Sequence, residues 1–499
     1  MPTLYQRFAI SAAAHPGRVA LETRGQRLCY AELESLAKGL AAAAVAKHRG
    51  VPGRLGLIVD RSAASFAGYL AGQLLGSTVI PINSAYPAQR IREVTAAARP
   101  DLVLAPDDPP AVGGAGLPVP ADTGAPAYVL MTSGSTGRPK GVPISQANVA
   151  AQLDHVLRRY PIGPRSRLSN TFELTFDLSV FDMFAAWSNG AALVVAERND
   201  LLTPARFVGA KELTHWFSVP SVISRAAGLR RLRPESMPGL QWSLFCGEPL
   251  TYRQALAWQR AAPNSVIENL YGPTELTISC FDHRLPEKAA EGFTDGTADG
   301  IADGNGTVPI GRPYAGIEHL VLDPAGRPAE RGELCVRGPQ RFDGYLDPAD
   351  NAGRFLAGDD PGTAVDGPGP VPADAWYRTG DLVERLPGGE LLHRGRLDHQ
   401  VKVAGYRVEL GDVESALRAA EGVLDAVALA VPAPAGGNRL LAACTGREVR
   451  PEAVLARLRE TVPAYLVPDR IAVLDELPYG GNGKVDRPAL LALLAPPGS

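Results

Sequence analysis

Lysine is scarce in this sequence: of 50 basic residues only seven are Lys, at positions 38, 47, 140, 211, 288, 402 and 484. Where a chain drifts so far towards Arg, a retained Lys is a candidate for a role that needs a compact, movable point charge. Cysteine is sparse as well. Cys29, Cys246, Cys280, Cys335 and Cys444 are odd in number, far apart and without a C-x-x-C pair, which excludes a disulfide framework and a thiolate zinc site; buried thiols are expected. There is no excess of one charge. The formal net charge is −3, so no polybasic field points to nucleic acid or to an anionic membrane. No apolar run approaches the roughly 20 residues that span a bilayer. The start, MPTLYQRFAI, lacks the basic n-region and apolar core of a signal peptide. A cytoplasmic protein with neither a nucleic-acid nor a membrane partner is expected.

What is present is ordinary for a globular protein, 45% apolar and 21% charged residues. A length of 499 residues exceeds what one core serves, so at least two domains are expected. The first hundred residues alternate Ala-rich amphipathic stretches (30–46, 62–75) with short apolar runs (LGLIV at 55–59, TVIPI at 78–82, 102–104). The pattern returns at 189–269 with ALVVA, HWFSV, WSLFC and VIENL. Alternation of this kind predicts α/β layers around a largely parallel sheet. After about Gly306 the helical signal fades and β-type segments follow (IEHLVLD, GELCVRG, ELLHRGRLDHQVKV). Segments 411–419, 424–431, 440–444, 452–461 and 470–473 then predict a small α+β unit. The boundary is placed at Asp398, giving domains 1–397 and 398–499. Stretches 286–306 and 357–373 are rich in Gly, Pro and Asp without apolar periodicity, and read as solvated loops.

Chemistry concentrates in a few motifs. In YVLMTSGSTGRPKG (128–141) a strand-like run enters a loop of Thr132, Ser133, Gly134, Ser135, Thr136 and Gly137, closed by Lys140. Small residues let backbone approach a polyphosphate, amides and hydroxyls face its oxygens, and the Lys supplies charge. It is not the Walker pattern, because Pro139 precedes the Lys and Gly141 follows it. TSGSTGRPKG resembles the signature of the adenylate-forming superfamily, which includes carrier-linked amino-acid adenylation domains, acyl-CoA synthetases and luciferases. Further motifs of that family occur in its order along almost the whole chain.

The resemblance implies a large N-terminal domain of layered α/β sheets with a small β-barrel-like subdomain, followed by a small, mobile α+β domain. It implies ATP and Mg²⁺ as cofactors. In NLYGPTE (269–275) it makes Tyr271 the residue that stacks on adenine, with Asn269 beside the base and Leu270 and Gly272 next to them. Thr274 contacts the α-phosphate and Glu275 holds Mg²⁺. Neutralising cations matter here because a carboxylate attacks a polyphosphate, anion on anion. Gly247, Glu248 and Pro249 of LFCGEPL join the nucleotide set. Asp381 in YRTGDL receives the ribose hydroxyls, and Arg396 in GRLD reaches the ribose and phosphates. Asp398 is the implied hinge. Gly405 lines the thiol's tunnel, with Lys402 close to the site in the second half-reaction. Lys484 in NGKVDR bridges the substrate carboxylate and phosphate during adenylation.

TFDLSVFDMF (175–184) narrows the substrate. Asp177 occupies the place where amino-acid adenylation domains keep a carboxylate for the α-ammonium, a role that suits an enclosed anion; a helix cap is the alternative, and Asp182 reads as structural. The remaining pocket positions are Leu178, Phe181, Ser218, Leu244, Cys246, Leu270, Ile278 and Ser279, with Lys484. They carry no second charge. FDLSVFDMF and LFCGEPL are especially similar to D-alanine–carrier protein ligases, so a small amino acid such as alanine is expected. No carrier-domain serine motif follows NGKVDR, and the expected acceptor is the phosphopantetheine thiol of a separate carrier protein. An acyl-CoA ligase is the alternative.

Overall fold

The computed structural model describes residues 1–111, 117, 124–132, 138–286, 306–365, 367, 369–397, 400–433, 437–478 and 485–494. The early alternation becomes helix Tyr30–His48, strand Arg54–Val59, helix Ala63–Leu75 and strand Thr78–Asn83. The two strands pair in parallel, Leu55 opposite Val79. Helix Ala63–Leu75 begins where the Ser62 hydroxyl accepts the Ser65 N–H and stops at Gly76, whose φ of 70° only glycine adopts freely. It lies close to the sheet because Gly68 has no side chain; a Cβ there would stand 2.8 Å from a Leu57 methyl.

A nine-stranded sheet dominates. Its order is Arg312–Pro313, Phe281–Arg284, Val266–Tyr271, Trp242–Phe245, His215–Ser218, Arg167–Asn170, Ala192–Val195, Val19–Thr23 and Gln26–Cys29. From Val266–Tyr271 through to Val19–Thr23 every pairing is parallel. A five-stranded sheet, Leu102–Leu104, Arg54–Val59, Thr78–Asn83, Pro126–Thr132 and Lys140–Ser145, shares one apolar core with it. The β-rich stretch after Gly306 is a third, antiparallel sheet. In it, the long strand Trp376–Arg385 has Arg331–Arg337 along one side and both Phe355–Leu356 and Leu391–Arg396 along the other.

The chain divides into two compact units. One comprises Met1–Ser84, Ala98–Met131 and Gly141–Leu397; the other comprises Ala85–Ala97, Thr132–Lys140 and Asp398–Ser499. The second holds hairpin Gln400–Val403/Tyr406–Glu409, which turns on Ala404 and Gly405, both at positive φ. It also holds a sheet of Val423–Pro432, Asn438–Gly446 and Arg470–Val473 with helices Leu410–Arg418 and Pro451–Thr461. Of the two loop stretches, 287–305 lies outside the described residues. The described part of 357–373 contains one isolated bridge, Ala364 to Leu356. No described helix is long and apolar enough to cross a membrane. Cys246, Cys280, Cys335 and Cys444 are buried and Cys29 is half-buried.

His215 sits inside the large sheet, its Nδ1 2.8 Å from the Thr214 hydroxyl and its Nε2 without a hydrogen-bond partner among the described residues. Burial lowers its pKa from 6.5 to about 4. The imidazole is therefore neutral in the fold and protonates first in the unfolded chain, so stability falls as pH drops from 6.5 to 4, by up to about 3 kcal/mol. Urea unfolding of H215Q between these pH values is expected to show a shallower loss than the wild type.

Candidate active site

In open parallel sheets ligands bind beyond the carboxyl ends of the strands. Ser218 ends His215–Ser218, Cys246 follows Trp242–Phe245, Leu270 and Tyr271 end Val266–Tyr271, and Asp177 lies seven residues beyond Arg167–Asn170. The fold thus gathers at one sheet edge residues spread over almost a hundred positions. Asp177, 7% exposed, is the first residue of helix Asp177–Trp187; the N-cap is Phe176, with no side-chain cap bond. Asp177 is therefore not the cap, and its carboxylate stands where the helix dipole favours an anion. Burial, and secondarily the Asp177 charge, pushes the Tyr128 phenol well above the usual tyrosine range. Asp182 is a core residue instead: Asn170 Nδ2 donates to it at 3.1 Å, and burial raises its carboxyl well above the carboxylate range.

Leu244, Cys246, Leu270 and Ile278 are buried, and Phe181 packs on Phe217 with ring centroids 4.8 Å apart. Leu178 and Val219 come within ordinary contact distance of a Cβ built at Gly247, 3.6 and 3.4 Å. The Ser218 hydroxyl accepts from Trp216 Nε1 (2.9 Å) and donates to the Val219 carbonyl (3.1 Å), so it is a satisfied wall rather than an open donor. After the short turn Thr274–Leu276, Thr277 and Ile278 both have positive φ, 57° and 71°. Such backbone is strained for β-branched residues and recurs at binding sites. It brings Ser279 against Gly272, where a Cβ would stand 2.7 Å from the Ser279 Cα.

The nucleotide-type residues form a second cluster. Asp381 and Arg396 face each other across paired strands, with Arg396 Nη1 donating to Asp381 Oδ1 at 2.7 Å. The Tyr271 hydroxyl donates to the other Asp381 oxygen. His393 Nε2 lies 3.4 Å from Oδ1. Burial alone would raise the Asp381 pKa; His393, Arg396 and Tyr271 together hold it well below the usual carboxylate range. Asn269 Nδ2 donates to the Pro309 carbonyl at 2.8 Å. Glu275 is buried; its Oε1 accepts from the Tyr345 hydroxyl at 2.7 Å, and Tyr345 meets the Tyr377 hydroxyl at 3.3 Å. Thr274 is half-buried beside it. No group of three His, Cys, Asp or Glu among the described residues could hold a metal by itself. A lone carboxylate suits Mg²⁺, which is commonly bound through one or two carboxylates, substrate phosphates and water.

A sequence profile described as AMP-binding enzyme matches residues 8–116 and 114–346, and one described as AMP-binding enzyme C-terminal domain matches 412–484. The chain belongs to the AMP-binding enzyme family. It is 35% identical over 97% of its length to a probable non-canonical nonribosomal peptide synthetase, CymA, of Salinispora arenicola, of which it covers 6%. The chain spans less than half the length of the curated relatives it matches, 46% for the phosphinothricin tripeptide synthetase PhsC of Streptomyces viridochromogenes. Among solved structures it resembles the Vibrio cholerae adenylation domain AlmE in complex with glycyl-adenosine-5'-phosphate (26% identity, 98% and 97% of the two chains, TM-score 0.82). It also resembles holo-PA1221, an NRPS protein with adenylation and PCP domains (26% identity, 99% and 84%, TM-score 0.79).

The other expected site residues of this AMP-binding enzyme lie outside the described residues, in the second unit, or in a structural bond. Ser133 to Gly137, Asp398 and Lys484 lie outside the described residues. Thr132, Lys140 and Lys402 belong to the second unit. Lys140 is buried, with the Thr132 hydroxyl 3.5 Å from its carbonyl. Lys402 lies on Gln400–Val403, its carbonyl accepting from Asn438. Glu248, next to Pro249, accepts the Ser221 N–H at 2.9 Å and serves the start of helix Ser221–Gly228. Sequence reasoning missed His393 and Tyr345. His393 lies three residues before Arg396 in HRGR and carries a detectable signal, whereas Tyr345 in FDGYL carries none without the fold.

D381N should weaken ATP binding by about 10- to 100-fold, since charge-assisted hydrogen bonds are lost. Calorimetric titration with ATP measures this. D182N, at a core carboxyl bonded to Asn170 and not to this cluster, should leave ATP affinity unchanged.

Proposed function

We propose that the chain activates a small amino acid such as alanine with ATP as its aminoacyl-adenylate and transfers the acyl group to the phosphopantetheine thiol of a separate carrier protein. The observation that carries this reading is Asp177. It is a buried carboxylate at the strand edge that also bears Ser218, Cys246, Leu270 and Tyr271, and an anion so enclosed suits an α-ammonium. The apolar positions beside it leave no second charge for an acidic or basic side chain. AlmE with its glycyl-adenylate and PA1221 with its PCP domain support a small substrate and a carrier acceptor by similarity.

In the first half-reaction a substrate carboxylate oxygen attacks the α-phosphorus of ATP, the bond to the β-phosphate breaks, and pyrophosphate leaves. Asp177 orients the substrate through its ammonium. Tyr271 lies under the adenine, while Asp381, kept ionised by Arg396 and His393, receives the ribose hydroxyls. Thr274 donates to the α-phosphate, and Lys484 bridges it to the attacking carboxylate. Glu275 would hold Mg²⁺, which neutralises phosphate charge; Tyr345 orients that carboxylate. In the second half-reaction the carrier thiolate attacks the acyl carbonyl and AMP leaves; Gly405 leaves room for the thiol's arm and Lys402 acts in this step.

A pyrophosphate-exchange panel of amino and simple carboxylic acids tests the substrate class. Exchange with alanine or glycine is expected; exchange with fatty or aryl acids alone overturns the amino-acid reading. D177A should lose amino-acid exchange by at least about 100-fold. K484A should abolish adenylation yet still load a holo-carrier from supplied aminoacyl-adenylate; wild-type adenylation in that variant would sink the role given to Lys484.

A further inference from the structure

We propose that Tyr314 closes the end of the amino-acid pocket remote from Asp177 and restricts the substrate to a small side chain, an inference that rests on the pocket assignment above. Tyr314 is 2% exposed, and its hydroxyl shares a 2.9 Å hydrogen bond with the Ser279 hydroxyl. Its N–H donates to the Cys280 carbonyl at 2.9 Å. Leu178, the residue after Asp177, comes within 3.6 Å of a Cβ built at Gly247, the residue after Cys246. Burial, and after it the Asp282 charge, raises the phenol well above its usual range. A pocket position, Ser279, is therefore bonded to an aromatic side chain that no pocket motif contains.

The ring cannot swing aside at low cost. The His155 imidazole stacks on it, centroids 3.6 Å apart and planes 9° from parallel. His155 Nε2 is 3.2 Å from Asp282 Oδ2, Asp282 pairs with Arg159 at 3.0 Å, and Arg159 pairs with the buried Glu268 at 2.9 Å, which Arg284 also meets at 2.6 Å. On the other side, Gln340 Nε2 donates to the Ser279 carbonyl at 2.7 Å and fixes the partner of the phenol. A larger substrate side chain would have to displace this clamped ring, whereas glycine or alanine would not reach it.

The test is pyrophosphate exchange with glycine, alanine, valine, leucine and phenylalanine by wild type, Y314A, Y314L and Y314F. Wild type is expected to prefer alanine or glycine. Y314A and Y314L should raise the leucine-to-alanine ratio of kcat/KM by about 100-fold or more, given the 10- to 200-fold discrimination that even one methylene produces in an apolar pocket. Y314F, which keeps the ring, should hold the wild-type ratio. If Y314A does not fold, Y314L carries the comparison. H155A, which removes the stack, should relax the ratio in the same direction while H155F restores it, a split that general loss of stability would not produce. A folded Y314A or Y314L with the wild-type ratio overturns the inference while leaving the proposed function intact. Wild-type protein that exchanges with no amino acid overturns the pocket assignment and this inference together.

Discussion

Parallel pairing forces each strand of a sheet to run the same way, so the chain leaves every one of them at the same edge. The large unit depends on that constraint. From Val266–Tyr271 to Val19–Thr23 the nine-stranded sheet is parallel, and its carboxyl edge carries Ser218, Cys246, Leu270 and Tyr271, with Asp177 on the helix that follows Arg167–Asn170. None of these residues is near another in sequence except Leu270 and Tyr271. A one-residue slip of Val266–Tyr271 against Trp242–Phe245 would exchange the sides on which Leu270 and Tyr271 face. The packing that prevents it is the shared apolar core of the two α/β sheets.

On that scaffold, buried charges sort by the company they keep. Asp381 stays ionised because Arg396, His393 and Tyr271 outweigh its desolvation. At Asp182 burial outweighs the Asn170 amide, the Arg61 charge and the Thr171 backbone, and pushes the carboxyl well above the carboxylate range. Glu268 is enclosed with two arginines and a tyrosine hydroxyl. Two aspartates of the same sequence stretch, Asp177 and Asp182, thus take different parts, one at the strand edge and one in the core. The antiparallel sheet contributes differently. Its strand pairing sets Asp381 opposite Arg396, so that a buried carboxylate and its counter-ion are held by backbone register rather than by a loop.

Much of this is legible in the sequence. Alternating apolar runs and Ala-rich stretches specify α/β layers through local periodicity, and helix Tyr30–His48 and strand Thr78–Asn83 fall within two residues of the expected bounds at each end. The apolar runs ALVVA, HWFSV, WSLFC and VIENL each became a strand of the large sheet, because a fully buried parallel strand needs β-branched and aromatic residues on both faces. Tyr271, Asp381 and Arg396 were readable because their motifs are short and dense in functional groups. Tyr345 was not, because a lone Tyr has no meaning until packing brings it to a carboxylate.

The sequence by itself determined the layer class, the order of the motifs and the chemical types available at each, since these follow from local periodicity and residue identity. Tertiary structure alone decided which of them meet. Strand order sets Val19–Thr23 between its hairpin partner Gln26–Cys29 and Ala192–Val195, and the second is a long-range pairing that no local pattern encodes. The same applies to the stacking of His155 on Tyr314, residues more than 150 positions apart. It applies again to Asp177, whose place as first helical residue rather than cap was settled by the backbone of Phe176. Side-chain chemistry is local, but proximity is set by the packing of the whole core.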